Sequence, residues 1–401
     1  MVCPCRLSRR RNGEDSRGHC WDCAGRGMGP ADWNGSLALV RLETWNMATL
    51  GPFLMIALSC IGIMYGCNLF EPGADFLGRN MRDGVKGATI NAVGSSLPEL
   101  FTTLILLFLY RDMDGFSGGV ATTAGSAVFN AVLIPACAII AVTMWARSTD
   151  TIEVSRKVLV RDGFFVLLAE IVLIWFLGQD TIYWWMGAAL VFIYGLYFGA
   201  LMWGAWSSRD DDEEEPECDD ERKPGPVISD LLTALRGDDV GLTTARAWGF
   251  LLSGATVVAL FCFVLSEATV QLARIWDVPL FLTTVIFAAA ATSVPDTILS
   301  IRDALKGNYD DAVANAIGSN IFDVCISLGL PITIYGLVNG PIDLGDGSEN
   351  GVQLIRWVML GFTVVVLAMF FPGKVGKRSG LFMFSLYGAW VLYIAYRTVA
   401  A

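Results

Sequence analysis

Two short segments far apart in the chain carry the same chemistry. Ser96-Leu97-Pro98-Glu99 and Ser293-Val294-Pro295-Asp296 each set a hydroxyl and a carboxylate three residues apart around a proline. A second pair comes after them in the same order. Gly125-Ser126 with Phe129-Asn130 matches Gly318-Ser319 with Phe322-Asp323, a hydroxyl four residues before an amide or an acid. Spacings of three and four bring each pair onto one face of a helix. Carboxylate, amide and hydroxyl oxygens suit a hard cation. No histidine is available to them, since the only one is His19. All of these residues lie in apolar runs, where a carboxylate at the bilayer centre costs about 2.5–3.5 kcal/mol. A bound cation would offset that cost. Each proline removes an amide donor and disturbs the carbonyls of the preceding turn. Backbone oxygens near Ala92, Ser95, Ala289 and Thr292 are therefore expected to join the ligands. The rival reading is a set of buried polar residues bonded to neighbouring helices, with Gly125 and Gly318 serving close helix contact. Recurrence of two matched turns in one order favours the cation site.

These turns must be held by membrane helices. The chain has 401 residues, 54% of them hydrophobic, and a mean hydropathy of +0.53. Its apolar blocks run to about 18–25 residues, the length that crosses ~30 Å of hydrocarbon. They are continuous rather than alternating, which selects helices over a barrel. The expected fold is an all-α polytopic membrane protein with ten transmembrane helices. They fall at 48–68, 87–109, 117–144, 158–178, 181–206, 246–267, 279–301, 311–336, 352–371 and 379–397. The domain plan is a disordered N-terminal extension at 1–46, a first five-helix repeat at 47–206, an acidic linker at 207–245 and a second repeat at 246–401. Loop cations concentrate on one side, at Arg79, Arg82, Lys86, Arg147, Arg156, Lys157, Arg161, Arg302, Lys306, Lys374, Lys377 and Arg378 among others. The positive-inside rule puts that side and the linker in the cytoplasm, with the core termini outside. Five spans per half is odd, so the halves insert as inverted repeats with the site between them at the midplane.

The remaining features carry less chemistry. A Cys/His zinc site could be drawn from Cys3, Cys5, His19, Cys20 and Cys23, but the spacing fits no finger or ribbon framework. The extension lacks the apolar core of a signal peptide, and Met47 is the expected start. The acidic linker reads as a solvated segment, and with a net charge of −11 it argues against nucleic-acid binding. There is no nucleophile–histidine pair, phosphate loop or cofactor motif, so neither an enzyme nor a cofactor is expected.

At the paired motifs the sequence resembles the cation/calcium exchanger superfamily, whose sodium/calcium exchangers carry two inverted repeats of this pattern. The second half, "ATSVPDTILSIRDALKGNYDDAVANAIGSNIFDVCISLGLP", is most similar to the potassium-dependent sodium/calcium exchangers. The resemblance implies a calcium/sodium antiporter working by alternating access, with inorganic cations as its partners, and the lack of a cleavable signal fits a bacterial inner membrane or a plasma membrane. It implies Glu99 and Asp296 as principal calcium ligands, completed by the carbonyls of Ser95 and Thr292. Ser96, Ser126, Ser293 and Ser319 would flank them in sodium sites. Asn130 and Asp323 would sit at the centre, and the aspartate leans toward potassium. Three positions depart from the family pattern: Ser95 stands for threonine, Ala291 for glycine and Ala127 for asparagine. Ala291 is expected to stiffen the helix break, and Ala127 to alter the sodium stoichiometry. The alternatives are a proton-coupled divalent cation exchanger on the same fold, a cation channel and a non-transporting scaffold.

Overall fold

Backbone groups deprived of water must close their hydrogen bonds within the chain, and the apolar runs do so as helices. The computed structural model describes residues 33–77, 92–110, 113–146, 148–207, 244–344 and 352–400. The chain divides into two units, Met1–Asn46 and Met47–Ala401, and the paired motifs belong to the second. The first half of the chain contains α1 (Trp33–Leu77), α2 (Ala92–Leu109) and α3 (Met113–Val128). A π-helical turn at Phe129–Leu133 leads into α4 (Ile134–Ile140), and another comes next at Ala141–Trp145. Then come β1 (Thr151–Glu153), α5 (Arg156–Phe176), β2 (Thr181–Ile182) and α6 (Trp184–Ser207). The second half opens with α7 (Thr244–Trp276) and α8 (Leu280–Thr283). A π turn at Thr284–Ala288 joins α8 to α9 (Ala289–Thr292), which precedes α10 (Val294–Lys306) and α11 (Tyr309–Phe322). After a π turn at Asp323–Leu328 come α12 (Gly329–Asn339), β3 (Ile342–Asp343), α13 (Val352–Phe370), β4 (Lys374–Gly376) and α14 (Lys377–Ala400).

Helix covers most of each of the ten expected segments, but the ends differ. α1 and α7 run on to Leu77 and Trp276, well past the expected 68 and 267. α1 also begins at Trp33, inside the stretch expected to be a disordered extension. The cysteine cluster from Cys3 to Cys23, nearly all of the linker, and Arg79, Arg82, Lys86 and Arg147 lie outside the described residues. By length and composition, seven helices among the described residues suffice to cross a membrane, or eight if the bent pair Leu280–Thr292 and Val294–Lys306 is one span. That is fewer than the ten expected, and the shortfall has a physical cause. α5 carries Arg156, Lys157, Arg161, Asp162 and Glu170, and the described apolar part of α13 is only Ile355–Phe370.

Burial separates a centre from a rim. The segment Gly115–Trp145 is 78% buried, against 28% for the spans of α1 and α7. α1 turns Leu54, Leu58 and Ile61 outward and α7 turns Leu252 and Leu260 outward, as lipid-facing helices do. The two meet along glycines. A Cβ on Gly254 would lie 2.8 Å from the Gly66 carbonyl and 2.6 Å from the Phe70 amide, so only glycine permits this approach. Two antiparallel ribbons tie distant loops together. β1 pairs with β4, placing Ile152 opposite Val375, and β2 pairs with β3, placing Ile182 opposite Ile342.

Candidate functional site

Prolines shape both halves of the site. Pro135 and Pro331 have no amide to offer the turn before them, and each is preceded by a π-helical turn, Phe129–Leu133 and Asp323–Leu328. The widened turns begin beside Asn130 and at Asp323, so the equivalent residue of each half stands where the helix changes register. A third proline breaks the chain. At Ser293 the backbone leaves the helix (φ −83°, ψ 1°), and the segments on either side are bent by 41°. Pro295 then sits in the first turn of α10, where its missing donor costs nothing. The sequence suggested a matching break at Pro98. The structure corrects this, because α2 runs unbroken from Ala92 to Leu109 with Pro98 inside it. The carbonyls of Ala92 and Ala289 are not left open either. The Ser95 hydroxyl donates to the first at 3.4 Å, and the Thr292 hydroxyl to the second at 3.2 Å.

Three carboxylates meet here. Glu99, Asp296 and Asp323 are fully buried, as are Asn130, Ser126, Ser293, Ser319, Ser96 and Thr292. Ser126 Oγ stands at the junction, 3.1 Å from Glu99 Oε1, 2.8 Å from Asp323 Oδ2 and 2.8 Å from Ser293 Oγ. Ser293 Oγ also lies 3.4 Å from Glu99 Oε1. The Asn130 amide approaches Asp323 Oδ2 at 3.2 Å, Ser126 Oγ at 3.3 Å and Asp296 Oδ2 at 3.4 Å. The Ser319 hydroxyl donates to Asp296 Oδ1 at 3.0 Å. A hydroxyl has one hydrogen and an amide two. These donors cannot serve every oxygen within reach. Glu99 Oε2, Asp323 Oδ1, Asn130 Oδ1 and Ser96 Oγ have no hydrogen-bond partner among the described residues. The ion pairs of the described residues, Arg161–Asp162, Lys306–Asp303 and Lys374–Glu153, are elsewhere. Buried charge that lacks a counter-charge is strongly unfavourable, so the acids must be neutralised by protons or by a cation. No three His, Cys, Asp or Glu side chains among the described residues form a resident metal cluster. The three acids are instead linked through the Ser126 hydroxyl and the Asn130 amide.

The profile of the sodium/calcium exchanger protein family matches residues 51–203 and 246–396. The chain belongs to that family. It is 24% identical over 82% of its length to the sodium/potassium/calcium exchanger 5 of Homo sapiens, covering 79% of that protein. It is 41% identical over 106 residues, 26% of the chain, to the sodium/potassium/calcium exchanger Nckx30C of Drosophila melanogaster. That segment spans only 12% of the fly protein, and corresponding segments span 15% of the matched chicken exchangers. Among solved structures, the H+/Ca2+ exchanger CAX superposes with a TM-score of 0.65 at 15% identity, covering 90% of this chain and 91% of that one. The sodium-calcium exchanger NCX_Mj gives 0.53 at 20% identity, covering 86% and 98%. At such identities the two structures establish a shared fold.

Within this fold, two buried asparagines lie outside the sequence candidates, and one of them contacts the cluster. Asn315 donates to Ser300 Oγ at 2.9 Å and to the Asp296 backbone carbonyl at 3.4 Å, fixing α10 against α11. Asn320 is buried with its Oδ1 unpartnered. Their positions flanking Ser319 were the available signal. Gly125 has the contact role that competed with chemistry in the sequence, since a Cβ there would lie 2.8 Å from both Ala289 Cβ and the Val285 carbonyl. A crevice lined by Ser95 and Pro295 extends along α1, by Cys67 and Asn68, to Glu71 and Arg302.

Proposed function

We propose that this exchanger is a secondary active antiporter that moves calcium against sodium by alternating access. The observation that carries the reading is the convergence of three buried carboxylates on one hydroxyl and one amide with no cationic side chain among them. Glu99 and Asp296 hold the divalent ion. The carbonyls of Ser95 and Thr292 complete its shell, Ser96, Ser126, Ser293 and Ser319 flank it with sodium positions, and Asn130 and Asp323 occupy the centre. The acids accept one doubly charged ion or several singly charged ones, and the empty cluster suffers mutual repulsion. The protein therefore changes sides mainly when loaded, which makes transport an exchange. Crevice residues Glu71 and Arg302 belong to the side rich in loop cations, so the conformation reads as open to the cytoplasm.

Ten spans in two inverted repeats are part of this proposal, and three features support them. α6 and α14 begin at Trp184 and Lys377, the same 193 residues apart as Asn130 and Asp323. Asn130 and Asp323 also touch, as two-fold-related positions do only on the axis. The ribbons obey the same rule, since exchanging the halves turns β1·β4 into β3·β2. These ribbons lie at opposite ends of α5 and α13, and the 21 residues of α5 reach about 30 Å, enough to cross despite their charge.

Flux of calcium into proteoliposomes, with sodium, potassium and proton gradients imposed one at a time, tests the proposal. Uptake driven by an outward sodium gradient is the expected result, and uptake that ignores every counter-ion would sink it. The second reading, proton-coupled exchange, is favoured by the close superposition on the H+/Ca2+ exchanger CAX. Potassium co-transport is suggested by the names of the potassium-dependent relatives and by Asp323, and the potassium arm of the same experiment decides it.

A further inference from the structure

We propose that Glu170 and Thr363 form a proton-binding site outside the cation cluster. Glu170 lies in α5 and Thr363 in α13, both buried, and the threonine hydroxyl donates to Glu170 Oε1 at 2.6 Å. They are 193 residues apart, the separation of Asn130 and Asp323, so this is a second contact between equivalent positions of the two halves. Glu170 Oε2 has no hydrogen-bond partner among the described residues.

The charged and titratable neighbours do not neutralise it. On α5 itself, Asp162 is two turns away and engaged with Arg161 at 2.6 Å. On α13, Arg356 is about two turns from Thr363 and points its guanidinium toward the Ile174 carbonyl at 3.5 Å. Asp310 of α11 accepts from the Ser155 amide at the far end of α5. On α6, Tyr197 rests against Phe165 and Tyr194 against Phe322. Asp323 and Cys325, from the π turn after α11, belong to the central cluster and to the apolar core respectively. A sodium, potassium or calcium ion needs about six or more oxygens, and this seam offers one carboxylate and one hydroxyl among Val166, Val366 and Leu367. A proton needs one lone pair.

A narrow, mostly apolar cavity reaches the Thr363 end of this pair, and we take it as the way in for the proton. Its lining includes Thr363, Val166, Asn130 and Asn320, and the Oδ1 atoms of both asparagines have no hydrogen-bond partner among the described residues. Hydronium in the cavity gives its proton to the carboxylate and leaves as water. The threonine hydroxyl both donates and accepts, so it serves Glu170 in either state. Neutral Glu170 lets the α5–α13 seam stay dry. Ionised Glu170 draws water or a cation into it, and exchange slows.

The test uses the full chain in lipid. The infrared spectrum of the wild type at neutral pH should contain a protonated-carboxyl carbonyl band that Glu170→Gln deletes. Thr363→Val should shift that band and Thr363→Ser should restore it. In proteoliposomes, wild-type flux should fall as pH rises, and Glu170→Gln, which mimics the acid, should lose that alkaline limb. Superimposable spectra for wild type and Glu170→Gln at every pH would overturn the site. So would an unchanged pH profile in a Glu170→Gln protein that transports. Should Glu170→Gln fail to fold, the band shift in Thr363→Val decides alone. The infrared readout does not depend on which ions the central cluster carries, so this proposal and the antiporter reading fail separately.

Discussion

The two proline–acid turns solve one problem in different ways. In the second half the helix breaks at Ser293, and the short Asp296 side chain reaches the cluster from the first turn of the new helix α10. In the first half α2 continues through Pro98, and the longer Glu99 side chain reaches the same place from an intact rod. The residues beyond each acid differ too. After Glu99 come Leu100, Phe101 and the apolar run to Leu109, whereas α10 carries Arg302, Asp303 and Lys306 and stops at Gly307 in the left-handed region (φ +91°). A backbone that bends needs less side chain, and a backbone that stays straight needs one more methylene.

Substitutions can erase that contrast or make it plainer. The largest effect is expected from Glu99→Gln and Asp296→Asn. Either should reduce sodium-driven calcium flux about 100-fold or more, as loss of a buried charged ligand worth ~3–5 kcal/mol predicts. Wild-type rates in either variant would remove the site. Next come the prolines. Pro295→Ala lets α9 and α10 join into one rod and swings Asp296 away, so calcium flux should fall at least about tenfold. Pro98→Ala instead restores a donor to a helix that is already continuous, and should raise the melting temperature with little change in flux. Equal losses of flux from both would remove the distinction between the halves. Ser126→Ala should weaken calcium affinity by about 1–3 kcal/mol, more than Ser319→Ala, since Ser126 meets two acids and Ser319 one. The smallest effect is expected at the departure from the family pattern. Ala127 is buried against the apolar core, so Ala127→Asn should cost about 1–3 kcal/mol of stability, with a modest change in the sodium dependence measured by flux.

Much of this site was legible because its oxygens obey helical spacing. The Ser96/Glu99, Ser126/Asn130 and Ser319/Asp323 pairs each needed only the helix repeat to be placed on one face, whereas Ser293 lies at the break before Asp296. Duplication in the same order then predicted which faces meet. Backbone geometry was less legible. Pro98 and Pro295 have the same local chemistry, yet only one lies at a break, because tertiary contacts decide whether a proline is absorbed inside a helix or expelled to its start. The capture of the Ala92 and Ala289 carbonyls by nearby hydroxyls depends on rotamers that spacing does not fix. Glu170 was overlooked because its partner Thr363 is apolar in context and carries no charge to suggest a match. The span count differed because α5 is crowded with charges, and the partner of Glu170 is visible only in three dimensions.

The paired ribbons have a mechanical consequence. Because β1 is stitched to β4 and β2 to β3, both ends of α5 are laced to both ends of α13, one strut from each half. A framework braced at top and bottom resists shear between the two struts. The lipid-facing pair of α1 and α7, in contact through bare glycine backbone at Gly66 and Gly254, lies outside that bracing.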